Sequence, residues 1–215
     1  MKGFTRDHPS PRYQRLLEQY RRMHVEGELL RRIPPDETFP GKSLPAQARH
    51  VRRLIERTDA RTILDYGSGK GQQYRYSPYT DEAGNRYPQI QAYWSVEVRC
   101  FDPGYAPFAE RPTGTFDGVV STDVLEHCPE EDVPWILDEI FGFATRFVFA
   151  TVACFPALKR LPTGQNAHCT VKPAKWWRRE IERAAARRPG VRYEFRLAAK
   201  ADSGAIVETV VSDVS

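Results

Sequence analysis

Several features are missing from this sequence, and each absence removes a class of protein. In 215 residues no apolar run approaches the ~20 residues that a membrane-crossing helix needs, so no membrane partner is expected. The opening stretch MKGFTRDHPSPRYQ has no apolar centre of the kind a secretory leader carries, and the expected location is cytoplasmic. Cysteine is scarce and scattered, at positions 100, 128, 154 and 169 with no CxxC pair. That spacing fits reduced thiols better than a zinc knuckle or a disulfide frame. Internal repeats and low-complexity tracts are absent too. What remains is an ordinary balance of 40% apolar and 28% charged residues, enough for one large domain with a buried core.

The net charge of +4 is modest but unevenly spread. Residues 11–32 hold six arginines against three glutamates, and residues 172–192 hold eight Lys/Arg against two glutamates. Residues 123–139 hold seven Asp/Glu and no Lys or Arg. Basic stretches of this kind meet phosphates, of RNA or of a small molecule, or are solvated helix faces.

Helical spacing of Tyr13, Leu16, Leu17, Tyr20 and Met23 predicts an amphipathic helix over 11–30. RRIPPDETFPGKS (31–43) breaks it and reads as a linker, in which FPGKS (39–43) either folds over a ligand through Lys42 or only leads into a capped helix. A second helix follows, carrying Leu44, Ala48, Val51 and Ile55 on one face and Ser43 as N-cap. From about residue 59 strands alternate with helices. TILDYG, VEVRCFD (96–102) and FDGVVSTD (116–123) read as strands, 134–146 as a helix and 147–153 as a further buried strand. Residues 172–188 read as a helix with Trp177, Ile181 and Ala184 inward, and Trp176 and Trp177 as core packing. Residues 191–214 read as an antiparallel pair around a turn at Asp202–Gly204. The expected fold is a doubly wound, mostly parallel α/β sheet with an antiparallel C-terminal strand, Rossmann-like. The expected division is an N-terminal helical extension or lid (1–58) and a ligand-binding domain (59–215).

ILDYGSGKGQQY (63–74) places glycines at 67, 69 and 71, with Asp65 two residues before the first. Glycines after a strand allow positive φ and leave no Cβ between backbone and ligand. Asp65 suits a ligand carrying an ammonium group and suits a pyrophosphate poorly. The alternative is a tight strand–helix turn without a ligand.

This stretch resembles the D/E-x-G-x-G-x-G motif of the class I S-adenosylmethionine (SAM) methyltransferases. VRCFDP and FDGVVSTDVLEHCPEEDVPWILDEI resemble that family's second and fourth motifs. The resemblance implies a SAM site built from Asp65, Tyr66, Gly67, Ser68, Gly69 and Gly71, with Asp102 and Pro103 at the ribose and Thr122 and Asp123 near the sulfonium. Only residues 103–115 separate Asp102 from Phe116, too few at ~1.5 Å per helical residue for the family's usual helix and strand. The sheet is therefore expected to be short on that side, with Tyr105 or Phe108 covering the adenine. The segment QQYRYSPYTDEAGNRYPQIQAYWS is expected to line the pocket or form a loop.

DVLEH sets Asp123, Glu126 and His127 at i, i+3 and i+4, which one helical turn presents together. GQNAHCT adds His168 and Asn166, which sits where an acceptor substrate is expected. The set Asp123, Glu126, His127, His168 resembles the ExxEH…H metal site of small-RNA 3′-end 2′-O-methyltransferases, and the ExxEH motif of O-methyltransferases in ubiquinone synthesis. That resemblance implies Mg²⁺, Mn²⁺ or Zn²⁺. Without a metal, His127 or His168 is the expected general base, with Asp123 beside them. The expected function is methyl transfer to an O or N atom of a small-molecule acceptor. The alternatives are an RNA-terminal 2′-O-methyltransferase using a metal, and a non-catalytic SAM-fold binding subunit.

Overall fold

Short apolar runs ending in small or acidic residues become the parallel strands of one sheet. The computed structural model describes residues 3–75, 77–201 and 203–214. Its strands are β1 (Thr62–Tyr66), the short pair β2 (Tyr79–Thr80) and β3 (Arg86–Tyr87), β4 (Glu97–Phe101), β5 (Phe116–Thr122), β6 (Ala144–Ala153), β7 (Arg192–Lys200) and β8 (Ile206–Ser212). Six of them form a sheet in the order β4-β1-β5-β6-β7-β8. All neighbours are parallel except β7 and β8. That matches the expected α/β sheet with its antiparallel C-terminal pair; Asp202, in the expected turn between them, lies outside the described residues. Because the chain leaves β1 for β4 on one side and returns to β5 on the other, the order reverses at β1/β5. A crevice opens at the carboxyl ends of the strands at such a point.

Alternate residues of each strand face opposite layers. Ile63, Val120, Phe147 and Phe149 pack with Leu44, Ala48, Val51 and Leu54 of α2 (Leu44–Thr58) and with Trp94 of α3 (Ile90–Trp94). Leu64, Val119, Val148 and Ala150 pack with Ile136 and Ile140 of α4 (Val133–Phe143) and with Trp177 and Ile181 of α5 (Ala174–Ala185). Gly118 is required in mid-strand, since a Cβ there would meet Phe147 at 2.4 Å and Ile63 at 2.7 Å. Trp177 is fully buried, as expected of a packing residue.

α1 (Pro11–Glu26) lies apart from these layers, across the carboxyl ends of the strands. Ser10 caps it by accepting from Tyr13 N at 3.0 Å, and donates from its own backbone N to Asp132 at 2.9 Å. The helix stops four residues earlier than its spacing suggests because Gly27 takes φ +82, where a Cβ would strike Ile33 O. Further out, Arg6 Nε donates to Glu139 at 2.9 Å and its guanidinium covers Trp135 at 4.9 Å. Two polar clasps thus hold the N-terminal segment over the sheet.

α2 flanks the sheet, with its apolar face buried against β5 and β6, while α1 and the linker residue Phe39 lie across the strand ends. Two expectations need adjusting. Ser43 occupies the N-cap position of α2 but makes no side-chain cap bond. Helix 134–146 ends at Phe143, and its last residues already belong to β6. The short connection 103–115 holds one 3₁₀ turn at Ala106–Phe108 and no strand, so β4 is the edge of the sheet as its length predicts. Among the described residues no helix is long and apolar enough to cross a membrane.

Candidate functional site

The glycines after β1 all take positive φ: +82 at Gly67, +56 at Gly69 and +62 at Gly71. Their bare faces meet the chain itself. A Cβ on Gly67 would lie 2.3 Å from Val124, one on Gly69 2.8 Å from Phe39 O, and one on Gly71 2.9 Å from Cys100 Sγ. The turn is thus squeezed between the linker before α2 and the ends of β4 and β5. Gly67 N donates to Phe101 O at 2.7 Å and Gly69 N to Asp102 at 2.8 Å, which ties the turn to the end of β4. Above it opens a cavity of about 520 Å³, within the usual range for small-molecule sites. It sits at the strand-order reversal.

Two carboxylates stand at the floor. Asp65 accepts from Tyr74 Oη at 2.9 Å and is otherwise desolvated; burial and the nearby Asp102 push its pKa up to about 7 against that hydrogen bond. Asp102 accepts from Gly69 N and Gly104 N, both at 2.8 Å, yet burial still raises it to about 6. Among the described residues Ser68 Oγ is buried there with no partner beyond the Cys100 thiol. Two under-compensated carboxylates and a hydroxyl with spare hydrogen-bonding capacity suit a ligand that brings an ammonium group and hydroxyls.

Two imidazoles stand at the ends of β5 and β6. His127 Nδ1 lies 2.9 Å from Ala167 O and 2.8 Å from Tyr20 Oη, and the carbonyl requires a proton on that nitrogen. His168 Nδ1 lies 2.6 Å from Phe155 O, with the same consequence. Both rings therefore keep the proton on Nδ1 and leave Nε2 as an acceptor. Their centroids are 4.8 Å apart and nearly perpendicular. Burial, with His168 beside it, drives the pKa of His127 down to about 3, so it is neutral. His168 is lowered by burial as well, but its backbone bond to Phe155 O and the facing Asp123 oppose the shift. Asp123 takes φ +56 and is braced by Thr151, whose hydroxyl donates to it at 2.8 Å.

The cavity gathers Asp65, Tyr66, Gly67, Ser68, Gly69, Gly71, Asp102, Pro103, Thr122, Asp123, His127 and His168, together with Lys42. Glu126 does not join them. It is fully buried, with one oxygen accepting Ala153 N at 2.8 Å and the other without a partner among the described residues, and burial lifts it to about 8. The expected turn is a single 3₁₀ step at Leu125–His127, which sends Glu126 and His127 to different partners. Among the described residues no three His, Cys, Asp or Glu are grouped to hold a metal. Asn166 is spent on the backbone of Ala157 and His168. Tyr105 stacks on His24 and Phe108 packs on Gly71, so neither lines the cavity. The segment after Gly71 contributes Gln72, Gln73 and Tyr74 to the wall; Tyr76 within it lies outside the described residues.

The expected lid within residues 1–58 came with no helical residues assigned to a cavity. Tyr13, Leu16, Leu17, Tyr20 and His24 of α1 and Phe39 of the linker all line the cavity. The apolar spacing of α1 was the available signal, but it reads equally as packing. A scan against protein-family models found no match to the chain, and a search of curated proteins found none.

Proposed function

We propose that this chain is a SAM-dependent methyltransferase acting on an O or N atom of a small-molecule acceptor. One observation carries the reading: a single cavity pairs two raised, buried carboxylates beside a glycine turn with two neutral imidazoles that offer Nε2. When bound, SAM supplies an electrophilic methyl group on a sulfonium. Asp65 holds an ammonium group, and Asp102 with Ser68 holds hydroxyls. His168 accepts the acceptor's proton at Nε2, because Asp123 faces it and favours the imidazolium that forms. His127, held much lower, orients the acceptor by a hydrogen bond. The covering α1 excludes water from the transfer.

Calorimetric titration with S-adenosylhomocysteine tests this, repeated on Asp65→Ala and Asp102→Ala. Binding that both substitutions abolish supports the reading. Absence of binding by the unaltered protein overturns it. Binding without turnover across an acceptor panel identifies a non-catalytic subunit instead.

A further inference from the structure

The cavity has a basic end that the roles above leave unused. Lys159 lines it beside Leu158, which is 87% exposed and marks the mouth. Its ammonium lies 4.0 Å from the centre of the Phe39 ring. Among the described residues Lys159 forms no salt bridge; Glu28, the carboxylate that acts on it, accepts from Arg160 N at 3.3 Å and pairs with Arg31 at 3.5 Å. Arg31 also lines the cavity.

Lys159 acts on His24, His127 and His168 and is not among the groups that shift Asp65 or Asp102. The cations therefore stand on the imidazole side, away from the acidic floor. Burial lowers the pKa of Lys159 because its charge has given up water, and Glu28, which it shares with Arg31, only partly opposes the shift. Between this end and the imidazoles the walls are Tyr20, Phe39 and Phe155.

We propose that Lys159, with Arg31, forms an anion subsite, and that the acceptor is a small hydroxylated carboxylate on an apolar or aromatic frame. Its carboxylate rests at Lys159 and its hydroxyl at His127 and His168. One ammonium without a salt bridge among the described residues and one Arg already sharing Glu28 match a single negative charge better than a phosphate. The word acceptor rests on the methyl-transfer reading; the anion subsite does not.

The test compares 3,4-dihydroxybenzoate with catechol, which has the same ring and hydroxyls without the carboxylate. Each is titrated into the protein with and without S-adenosylhomocysteine. A charge-assisted bond predicts that the carboxylate binds about 10-fold tighter or more. Lys159→Gln erases that preference and Lys159→Arg keeps it, while S-adenosylhomocysteine affinity stays constant. Equal affinities, a preference for catechol, or no binding of either compound overturns the proposal. So does a preference that survives Lys159→Gln. Loss of folded circular dichroism in that variant moves the comparison to Arg31→Gln, at an exposed position, where an undiminished preference again overturns the proposal. Carboxylate preference without S-adenosylhomocysteine binding would leave the subsite standing and remove the methyltransferase reading.

Discussion

Asp65 makes the stability of the chain depend on pH. Its pKa rises from an ordinary 3.8 to about 7 in the folded protein, chiefly through burial. An acid with a raised native pKa makes the folded state bind more protons than the unfolded state between those values. Stability therefore falls as pH climbs through that window, and the cost is fully present above it. Asp65→Asn keeps an acceptor for Tyr74 and removes the charge. Thermal denaturation is expected to show the variant several degrees more stable than the unaltered protein at pH 8 and equal to it at pH 4. An ammonium-bearing ligand requires the ionised form, so its affinity falls by up to about tenfold per unit below pH 7. A melting curve for Asp65→Asn that matches the unaltered one at pH 8 would show that Asp65 carries no such penalty.

The glycine turn and the α1 cover show what an element inherits from its neighbours. Gly67→Ala adds a Cβ at φ +82, 2.3 Å from Val124, and is expected to cost about 2–4 kcal/mol by urea denaturation from backbone strain and overpacking. Val124→Ala in the same chain recovers the steric part and leaves the backbone part. A Gly67→Ala variant as stable as the unaltered protein would mean the turn has slack that the contacts do not show. β1, β5 and β6 were legible because a buried parallel strand is a short apolar run with punctuation at its end. The missing strand after β4 was legible from connection length alone. A lid was expected from the N-terminal helices, but which residues of α1 line the cavity was not legible: its periodicity says that one face is apolar, not what that face meets. Nor was α2's place in the helical layer, for the same reason. Lys159 and Tyr74 were illegible because a lone residue in a loop makes no pattern. The clasp from Arg6 to Glu139 spans 133 positions, beyond the reach of any local rule.

At the scale of the whole molecule, helical layers pack on both faces of the sheet and α1 closes the cavity at the strand ends. A ligand that fills the cavity bridges the glycine turn, the end of β4 and α1, and stabilises all three by mass action. At 100 times its Kd, S-adenosylhomocysteine is expected to contribute about 2.7 kcal/mol, which for a chain of this size raises Tm by about 5–10 °C. An unshifted Tm at that saturation would place the ligand elsewhere or nowhere. The clasps also set a timetable for synthesis. Ser10 waits for Asp132, Arg6 for Glu139, and the Tyr20–His127 pair for the carbonyl of Ala167. A nascent chain therefore presents α1 to the cell long before anything exists for it to cover. Until residue 167 has been made, Leu16 and Tyr20 lack the Leu161 and Ala167 partners that cover them in the folded chain.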